Sequence, residues 1–363
     1  MCIVAQNELK DRIDILNLER KRMKKIRLGL MGFGEVNRHL YRLCLEDDKI
    51  EVVVISEIGR PEILVYLLEA ESKRNKGEID VRLEGNYLVS KNGRARFVKG
   101  KGPTDVAWDA FDVDVVVDAT GKHRTREEMN GHLESGAKRA ILASLPADEL
   151  DRIVIKGVNE HTMKKSDKLI SAGSSTTNAT AIMLKIIDEA FGVDYAMLTT
   201  VHSYTADQPL RDTVGTDFRR SRSAAENIIP NDTPTPRWLQ VIMPEFKGRI
   251  EGTALNVPIP AGSLLDLNLI LKNEKVTIDQ INKAIDKAAK KLPGILEVTE
   301  DPIVSVDVVG NRHSVIYDKQ ATMRTKGKML KILTWYHNSL AMASRTKDLI
   351  IAYNKIDEEG GAK

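Results

Sequence analysis

The sequence predicts a doubly wound α/β parallel sheet followed by an α+β domain built on a mostly antiparallel sheet, and three observations carry that expectation. A strand-like run over 26–31 leads through Gly32-Phe33-Gly34 into helical spacing over 35–46, with Val36, Leu40 and Leu43 on one face, and then into the β-branched run 50–56. Strand, glycine turn, helix and strand within about 30 residues make a βαβ unit. Apolar runs over 113–118 and 139–144 follow, each ending in a loop, Ala119-Thr120-Gly121 and Leu145-Pro146. Continuous apolar strands are covered on both faces, and an open sheet of them binds ligands at its carboxyl ends. After Asn178 the pattern changes. A long apolar-periodic helix over 179–191 precedes strand-like segments over 195–203, 249–257, 263–271, 303–307, 313–318 and 329–335, with helical spacing over 278–291 and 339–354. Strands grouped first, with helices to one side, read as α+β.

A chain of 363 residues suits two domains. The net charge of +3, from 55 basic and 52 acidic residues, gives no reason to invoke nucleic acid or a membrane surface as partner. Cys2 and Cys44 make neither a disulfide framework nor a metal cluster, so a reducing cytoplasm is expected and no metal is. No run of apolar residues is long enough to span a bilayer. Residues 1–25 are too charged for a signal peptide. Leu9, Ile13, Leu16 and Met23 fall roughly at helical spacing, which leaves a short amphipathic helix and a loose extension both open, and Met23 would itself make a sensible start.

The motif Gly32-Phe33-Gly34-Glu35-Val36-Asn37 follows a strand and opens a helix, as a Rossmann-type dinucleotide fingerprint does, with Asn37 where the third glycine belongs. Gly32 permits the turn and Gly34 lets backbone approach a pyrophosphate at the helix N-terminus. The third position serves helix–strand packing, so Asn37 is expected to widen that contact without abolishing binding. Glu57 ends the next strand, 23 residues past Gly34, near the usual spacing of an acid that bonds the adenosine ribose. Its carboxylate favours NAD. Arg60, three residues on, leaves NADP open.

The stretch Ser171-Ala172-Gly173-Ser174-Ser175-Thr176-Thr177-Asn178 is followed by His202 within Thr199-Thr200-Val201-His202-Ser203-Tyr204-Thr205. A nucleophile-type residue in a small polar turn with a distant histidine is an arrangement for covalent attack on a carbonyl. These stretches closely resemble the active-site motifs of the phosphorylating glyceraldehyde-3-phosphate dehydrogenase family. The resemblance extends over Gly157-Val158-Asn159, residues 219–230, Gly252-Thr253-Ala254-Leu255-Asn256-Val257-Pro258 and Trp335-Tyr336. It implies that Ser175 stands where the family has its catalytic cysteine, and that His202 is the general base and helps polarise the substrate carbonyl. It further implies an inorganic phosphate site at Ser174, Thr176 and Thr233, and a substrate phosphate site at Thr205 and Asp207. Asn256 falls where the family has an arginine that clamps the substrate phosphate; Arg219, Arg220 and Arg222 are then candidate sources of charge. Pro234 replaces a glycine and removes a backbone N–H. Gly32, Phe33, Gly34, Glu35, Val36 and Glu57 would line the cofactor, with Thr120-Gly121 beneath it and Asn338 on the nicotinamide amide. His337 and Ser339 stand where the family usually has acidic residues. The same resemblance implies a nucleotide-binding domain over 26–174, a catalytic domain over 175–338, a C-terminal helix over 339–356 returning to the first domain, and a homotetramer; the tail over 357–363 is expected from the sequence to be loose.

A thiol is lowered to thiolate by a neighbouring imidazole, whereas a serine hydroxyl reacts only if a base takes its proton during attack. An oxygen ester is also less reactive than a thioester. The expectation is therefore an NAD(P)-dependent oxidoreductase acting on a small polar aldehyde or alcohol without a cysteine thioester. Two alternatives stand beside it: a glyceraldehyde-3-phosphate dehydrogenase whose nucleophile has been replaced, and a non-catalytic NAD-binding member of the family.

Overall fold

The computed structural model describes residues 25–74 and 77–359. The proposed amphipathic helix at the N-terminus and the last residues of the tail lie outside the described residues.

The first sheet has nine strands: β1 (Ile26–Met31), β2 (Ile50–Ser56), β3 (Val81–Glu84), β4 (Tyr87–Ser90), β5 (Gly93–Val98), β6 (Val115–Asp118), β7 (Arg139–Leu142), β8 (Arg152–Ile153) and β9 (Leu169–Ser171). Their order is β3-β4-β5-β2-β1-β6-β7-β9-β8. Every pair from β5 to β8 in that order is parallel, and the short β3-β4-β5 meander is antiparallel. The chain leaves β1 toward β2 on one side and returns to β6 on the other. Order therefore reverses between β1 and β6, and the crevice outside their carboxyl ends is the expected ligand site. Helices α1 (Glu35–Leu45), α2 (Pro61–Arg74) and α3 (Arg126–Glu134) cover this sheet. Leu28, Leu30, Ile55, Val117 and Ile141 fill the core.

Helix α4 (Ser175–Phe191) enters the second domain. It begins four residues before the periodic stretch, because Ser174 caps it: its Oγ accepts the N–H of Thr177 at 3.1 Å. The second sheet comprises β10 (Val193–Ser203), β11 (Ile229–Asn231), β12 (Ile250–Val257), β13 (Ser263–Leu271), β14 (Leu296–Thr299), β15 (Val315–Asp318), β16 (Met323–Arg324) and β17 (Met329–Tyr336). Its order is β11-β12-β10-β13-β17-β15-β14, with β16 on β17; only β10–β12 and β14–β15 are parallel among the described strands. Helices α5 (Thr235–Ile242) and α6 (Ile278–Ala289) belong to this half. Ile182, Met183, Leu265, Leu267, Ile281 and Tyr317 form its core.

Helix α7 (Asn338–Glu359) carries Leu340, Ala343, Leu349, Ile350 and Tyr353 back into the core of the first sheet. It runs through residues 357–359, expected to be loose. One strand expectation fails. Residues 303–307 carry alternating apolar positions, but Ser305–Val308 is a 3₁₀ turn. Val304 and Val306 are exposed, so no sheet face receives them, and Asp307 accepts the N–H of Val304 at 2.8 Å and closes the turn. Among the described residues no helix is long and apolar enough to cross a membrane.

Candidate functional site

A cleft of about 590 Å³ opens at the β1–β6 switch point and reaches the start of α4 and the ends of β10 and β17. Gly32, Gly34, Glu35, Val36, Glu57, Thr120 and Asn338 line it together with Ser174, Ser175, His202 and Thr205. A second cavity of about 270 Å³ shares Ser144, Ser174, Thr205 and His202 with the cleft and adds Gly121, Thr176, Thr233 and Asn256. Most of the residues singled out from sequence thus meet around His202. Three stand apart. Phe33 turns its ring into the core, edge-on to Tyr41 and Phe97. Asp207 pairs with Arg220, and Arg222 pairs with Asp212 at 2.8 Å; neither Asp207 nor Arg222 lines either cavity.

The glycine turn is built for a close approach. Gly32 has φ +80°, and a Cβ there would lie 2.9 Å from Thr120 Cγ2. A Cβ on Gly34 would meet nothing within 4 Å, so the backbone at the start of α1 is open. The first N–H groups of a helix lack intrahelical acceptors, and an anionic bridge satisfies them. These features fit a dinucleotide pyrophosphate. Asn37 does not widen the helix–strand contact as expected. It is fully buried, and its amide donates to the carbonyls of Gly32 (2.7 Å), Met31 (3.1 Å) and Val117 (3.4 Å), tying α1 to β1 and β6. Glu57 accepts the N–H groups of Phe33 and Ile58, both at 2.8 Å, so the acid expected at the ribose also braces the turn. Arg60 is exposed and pairs with Glu62.

Beneath the Thr120 loop lies Asp118, which is fully buried. Its Oδ1 accepts the hydroxyl (2.6 Å) and N–H (2.9 Å) of Thr120, and its Oδ2 meets His123 Nδ1 at 2.8 Å and His132 Nε2 at 3.2 Å. Burial opposes the charge, but the two imidazoles hold this carboxyl well below the usual range, and the same contact raises His123.

Beside the glycine turn Glu35, His39 and His337 bring one carboxylate oxygen and two ring nitrogens within 4.8 Å of one another. The N–H of Gly310 donates to His337 Nδ1 at 3.2 Å, and Arg42 faces His39 Nδ1 at 3.5 Å. An amide and a guanidinium only donate, so each ring carries its proton on Nε2. His39 Nε2 lies 3.8 Å from Glu35 Oε1, buried and without a hydrogen-bond partner. Burial pushes His337 down to about 4, and the contacts to His39 and Ser339 outweigh burial at Glu35 and hold its carboxyl low. The separation of 35 and 39 by one helical turn is legible in sequence; the arrival of His337 from β17 is not.

Where the cleft meets the second domain, Ser175 is the first residue of α4, buried, and its Oγ has no hydrogen-bond partner among the described residues. The surrounding hydroxyls are tied to one another. Tyr336 OH lies 2.9 Å from Thr176 Oγ1 and 2.7 Å from Thr200 Oγ1, while Ser174, Thr177, Thr233 and Thr235 form a second chain. His202 sits on β10 beside Asn256 of β12. Its Nδ1 donates to the carbonyl of Ser203 at 2.7 Å, so Nε2 carries the lone pair, which accepts from Asn338 Nδ2 at 2.8 Å. Burial lowers the imidazole below its ordinary value and keeps it neutral. Asn256 is buried and uncharged, held by Asn231 at 3.3 Å and the carbonyl of Ser203 at 3.4 Å. Arg124, not foreseen from sequence, lines the second cavity. Its signal was a basic tripeptide, Lys122-His123-Arg124, directly after the Thr120-Gly121 loop.

Comparison with known proteins agrees with this geometry. Residues 26–126 match the family model described as glyceraldehyde 3-phosphate dehydrogenase, NAD binding domain, and residues 174–338 match that of the C-terminal domain. The chain is 37% identical over 326 residues to glyceraldehyde-3-phosphate dehydrogenase 1 of Bacillus subtilis, covering 89% of this chain and 97% of that protein. It is 39% identical over 327 residues to glyceraldehyde-3-phosphate dehydrogenase of Geobacillus stearothermophilus, with the same coverage, and 38% identical over 334 residues to that of Mycobacterium leprae, covering 90% and 97%.

Proposed function

The chain belongs to the glyceraldehyde-3-phosphate dehydrogenase family, and from that premise we propose that it is an NAD(P)-dependent oxidoreductase for a small polar aldehyde or alcohol, working without a cysteine thioester. Its N-terminal part is an NAD-binding domain. NAD bound there supplies or takes the hydride.

In this reading Ser175 stands at the family's cysteine position but is not the nucleophile. The observation that carries it is the pairing around His202: Ser175 Oγ has no base within hydrogen-bond reach among the described residues, while His202 Nε2 is occupied by Asn338. A hydroxyl without a base is a poor nucleophile. His202 instead serves the substrate. A substrate hydroxyl takes the place of the Asn338 amide on Nε2 and gives up its proton there as the hydride leaves carbon; in reverse, His202 returns the proton to the carbonyl oxygen. Neutral Asn256 in place of a clamping cation further favours a substrate unlike the family's usual one.

The same reading assigns a nucleotide-binding domain over 26–174, a catalytic domain over 175–338, and a homotetramer in the cytoplasm. Tyr195 and Met329 are both exposed and both register with Ile270 across β10, β13 and β17, which supports association through the outer face of the second sheet.

The test is titration with NADH and NADPH, then a screen of small aldehydes for loss of reduced-nicotinamide absorbance. Turnover should fall at least about 100-fold in His202→Ala and stay within about tenfold in Ser175→Ala. Large recovery of phosphorylating activity toward glyceraldehyde 3-phosphate in Ser175→Cys would instead favour a member whose nucleophile was replaced. Tight cofactor binding without turnover of any aldehyde would favour a non-catalytic one.

A further inference from the structure

Glu35 places a fixed negative charge in a cleft whose expected ligand is itself anionic. It is the first residue of α1, directly after the open glycine turn, and its half-exposed side chain lines the cleft. No lysine or arginine pairs with it among the described residues. It is steered by neutral groups instead. His39, fully buried one helical turn on, brings Nε2 to 3.8 Å from its Oε1. His337 packs edge-on against His39 with ring centroids 5.5 Å apart, and Ser339 meets the carboxylate from the first turn of α7. Donors face the Nδ1 atoms of both rings, from Gly310 and from Arg42, so the rings position the carboxylate without cancelling its charge.

The other charges of the cleft lie at its opposite end. Lys101 and Lys122, on the loops after β5 and β6, are exposed and make no ion pair among the described residues. Ser56 donates to the carbonyl of Gly100 at 3.5 Å, and His123 contacts the backbone of Lys101, which gathers both loops near Glu57. The carboxylate of Glu57 is itself taken up by the N–H groups of Phe33, Ile58 and Gly59. A dinucleotide bonded at Glu57 through its adenosine ribose, with its diphosphate over the glycine turn, extends its nicotinamide past that turn toward Asn338. The cleft thus offers cations at the adenosine end and the Glu35 carboxylate toward the nicotinamide end.

We propose that Glu35 makes this cleft selective for the redox state of its cofactor, favouring the oxidised dinucleotide over the reduced one. The oxidised nicotinamide ring carries a positive charge that the reduced ring lacks, and the diphosphate is the same in both. Glu35 therefore repels the diphosphate of both forms alike and attracts the oxidised ring alone. Free N–H groups in the first turn of α1 offset part of the repulsion, so a carboxylate is tolerable there. The inference rests on the NAD-binding domain and needs no turnover.

Calorimetric titration of the full-length protein with NAD⁺, NADH and ADP-ribose, at about pH 8 where Glu35 is ionised, tests this. ADP-ribose carries the diphosphate without the nicotinamide. Glu35→Gln keeps the size and polarity of the side chain and removes its charge. The ratio of Kd for NADH to Kd for NAD⁺ should fall at least about threefold in this variant, the effect that a unit charge several ångströms away exerts even through water. ADP-ribose should tighten with NADH, and NAD⁺ should gain less. Glu35→Asp should keep part of the wild-type ratio. In the wild-type protein the ratio should also fall as salt rises from about 0.02 M to about 0.5 M, because a half-exposed charge is screened. A ratio equal in Glu35→Gln and wild type overturns the proposal, since Glu35 would then act on the diphosphate alone. If Glu35→Gln loses its native circular dichroism, the wild-type salt series decides, and a ratio independent of salt overturns the proposal. So does a wild-type protein that binds none of the three ligands. Charge-dependent selectivity in a protein that turns over no aldehyde leaves this inference standing and sinks the oxidoreductase reading.

Discussion

Asn338 Nδ2 lies 2.8 Å from Nε2 of His202, so the first residue of the returning helix holds the lone pair of the imidazole on β10, the proposed base. Ser263 Oγ braces the amide, 2.7 Å from Nδ2 and 2.9 Å from Oδ1. His202 is thus wired to the element that returns the chain to the nucleotide-binding sheet. A hydrogen bond donated to Nε2 favours the neutral ring and adds to burial in keeping His202 unprotonated.

Asn338→Ala removes that donor. The acid limb of the pH profile of kcat/KM, which reports protonation of the base in the free enzyme, should move to higher pH. A variant that loses activity but leaves this limb in place would show that Asn338 acts on the cofactor alone. Turnover of a small aldehyde from about pH 4 to 8 reads the difference.

Asp118 supports the Thr120 loop from below, and Asp118→Asn should be strongly destabilising. The carboxylate takes two bonds from Thr120 and one from each of two imidazoles. Breaking a buried charged network of this kind costs about 3–5 kcal/mol. The check is the urea midpoint at neutral pH, and a loss below about 1 kcal/mol would mean the network contributes little. Because its folded carboxyl is held low, the wild-type contribution is present above the ordinary Asp value and is lost as pH falls below it.

The βαβ unit was legible because its signal is local. A β-branched run, a glycine turn and one helical face leave few alternatives, and the boundaries of β1 and β2 coincide with the runs that predicted them. The strand expectation at 303–307 failed because alternation reports a half-buried surface only where a sheet exists to bury it, and a single side chain, Asp307, diverts the backbone. Helix α2 went unread because Ile63, Tyr66 and Leu67 are exposed and blur its apolar stripe. Helix α3 had a readable start, the capping box of Thr125 and Glu128. At the site, motif positions told which residues assemble but not how they bond. Asn37 looked like a defect of packing and is a staple, and Arg124 comes to share a cavity with Asn256 of β12 only once the chain has folded.

His337 gives the fold a dependence on pH whose sign follows from its burial. Its folded value lies near 4, against about 6.5 for an exposed imidazole. Between those values the unfolded chain binds a proton that the folded chain refuses, so stability falls as pH is lowered through the window and is flat above it. The arithmetic gives a loss of about 2 kcal/mol between pH 7 and pH 5 from this one ring. Urea midpoints at the two pH values measure it. His337→Gln keeps a polar group of similar size without a titrating ring, so its loss over the same interval should be smaller by about that amount. An equal loss in both proteins would mean that His337 takes up its proton in the folded state, with Glu35 turning to meet it. Lowering pH would then tighten the cluster at the glycine turn, and the stability of the fold would report other groups, buried His202 first among them.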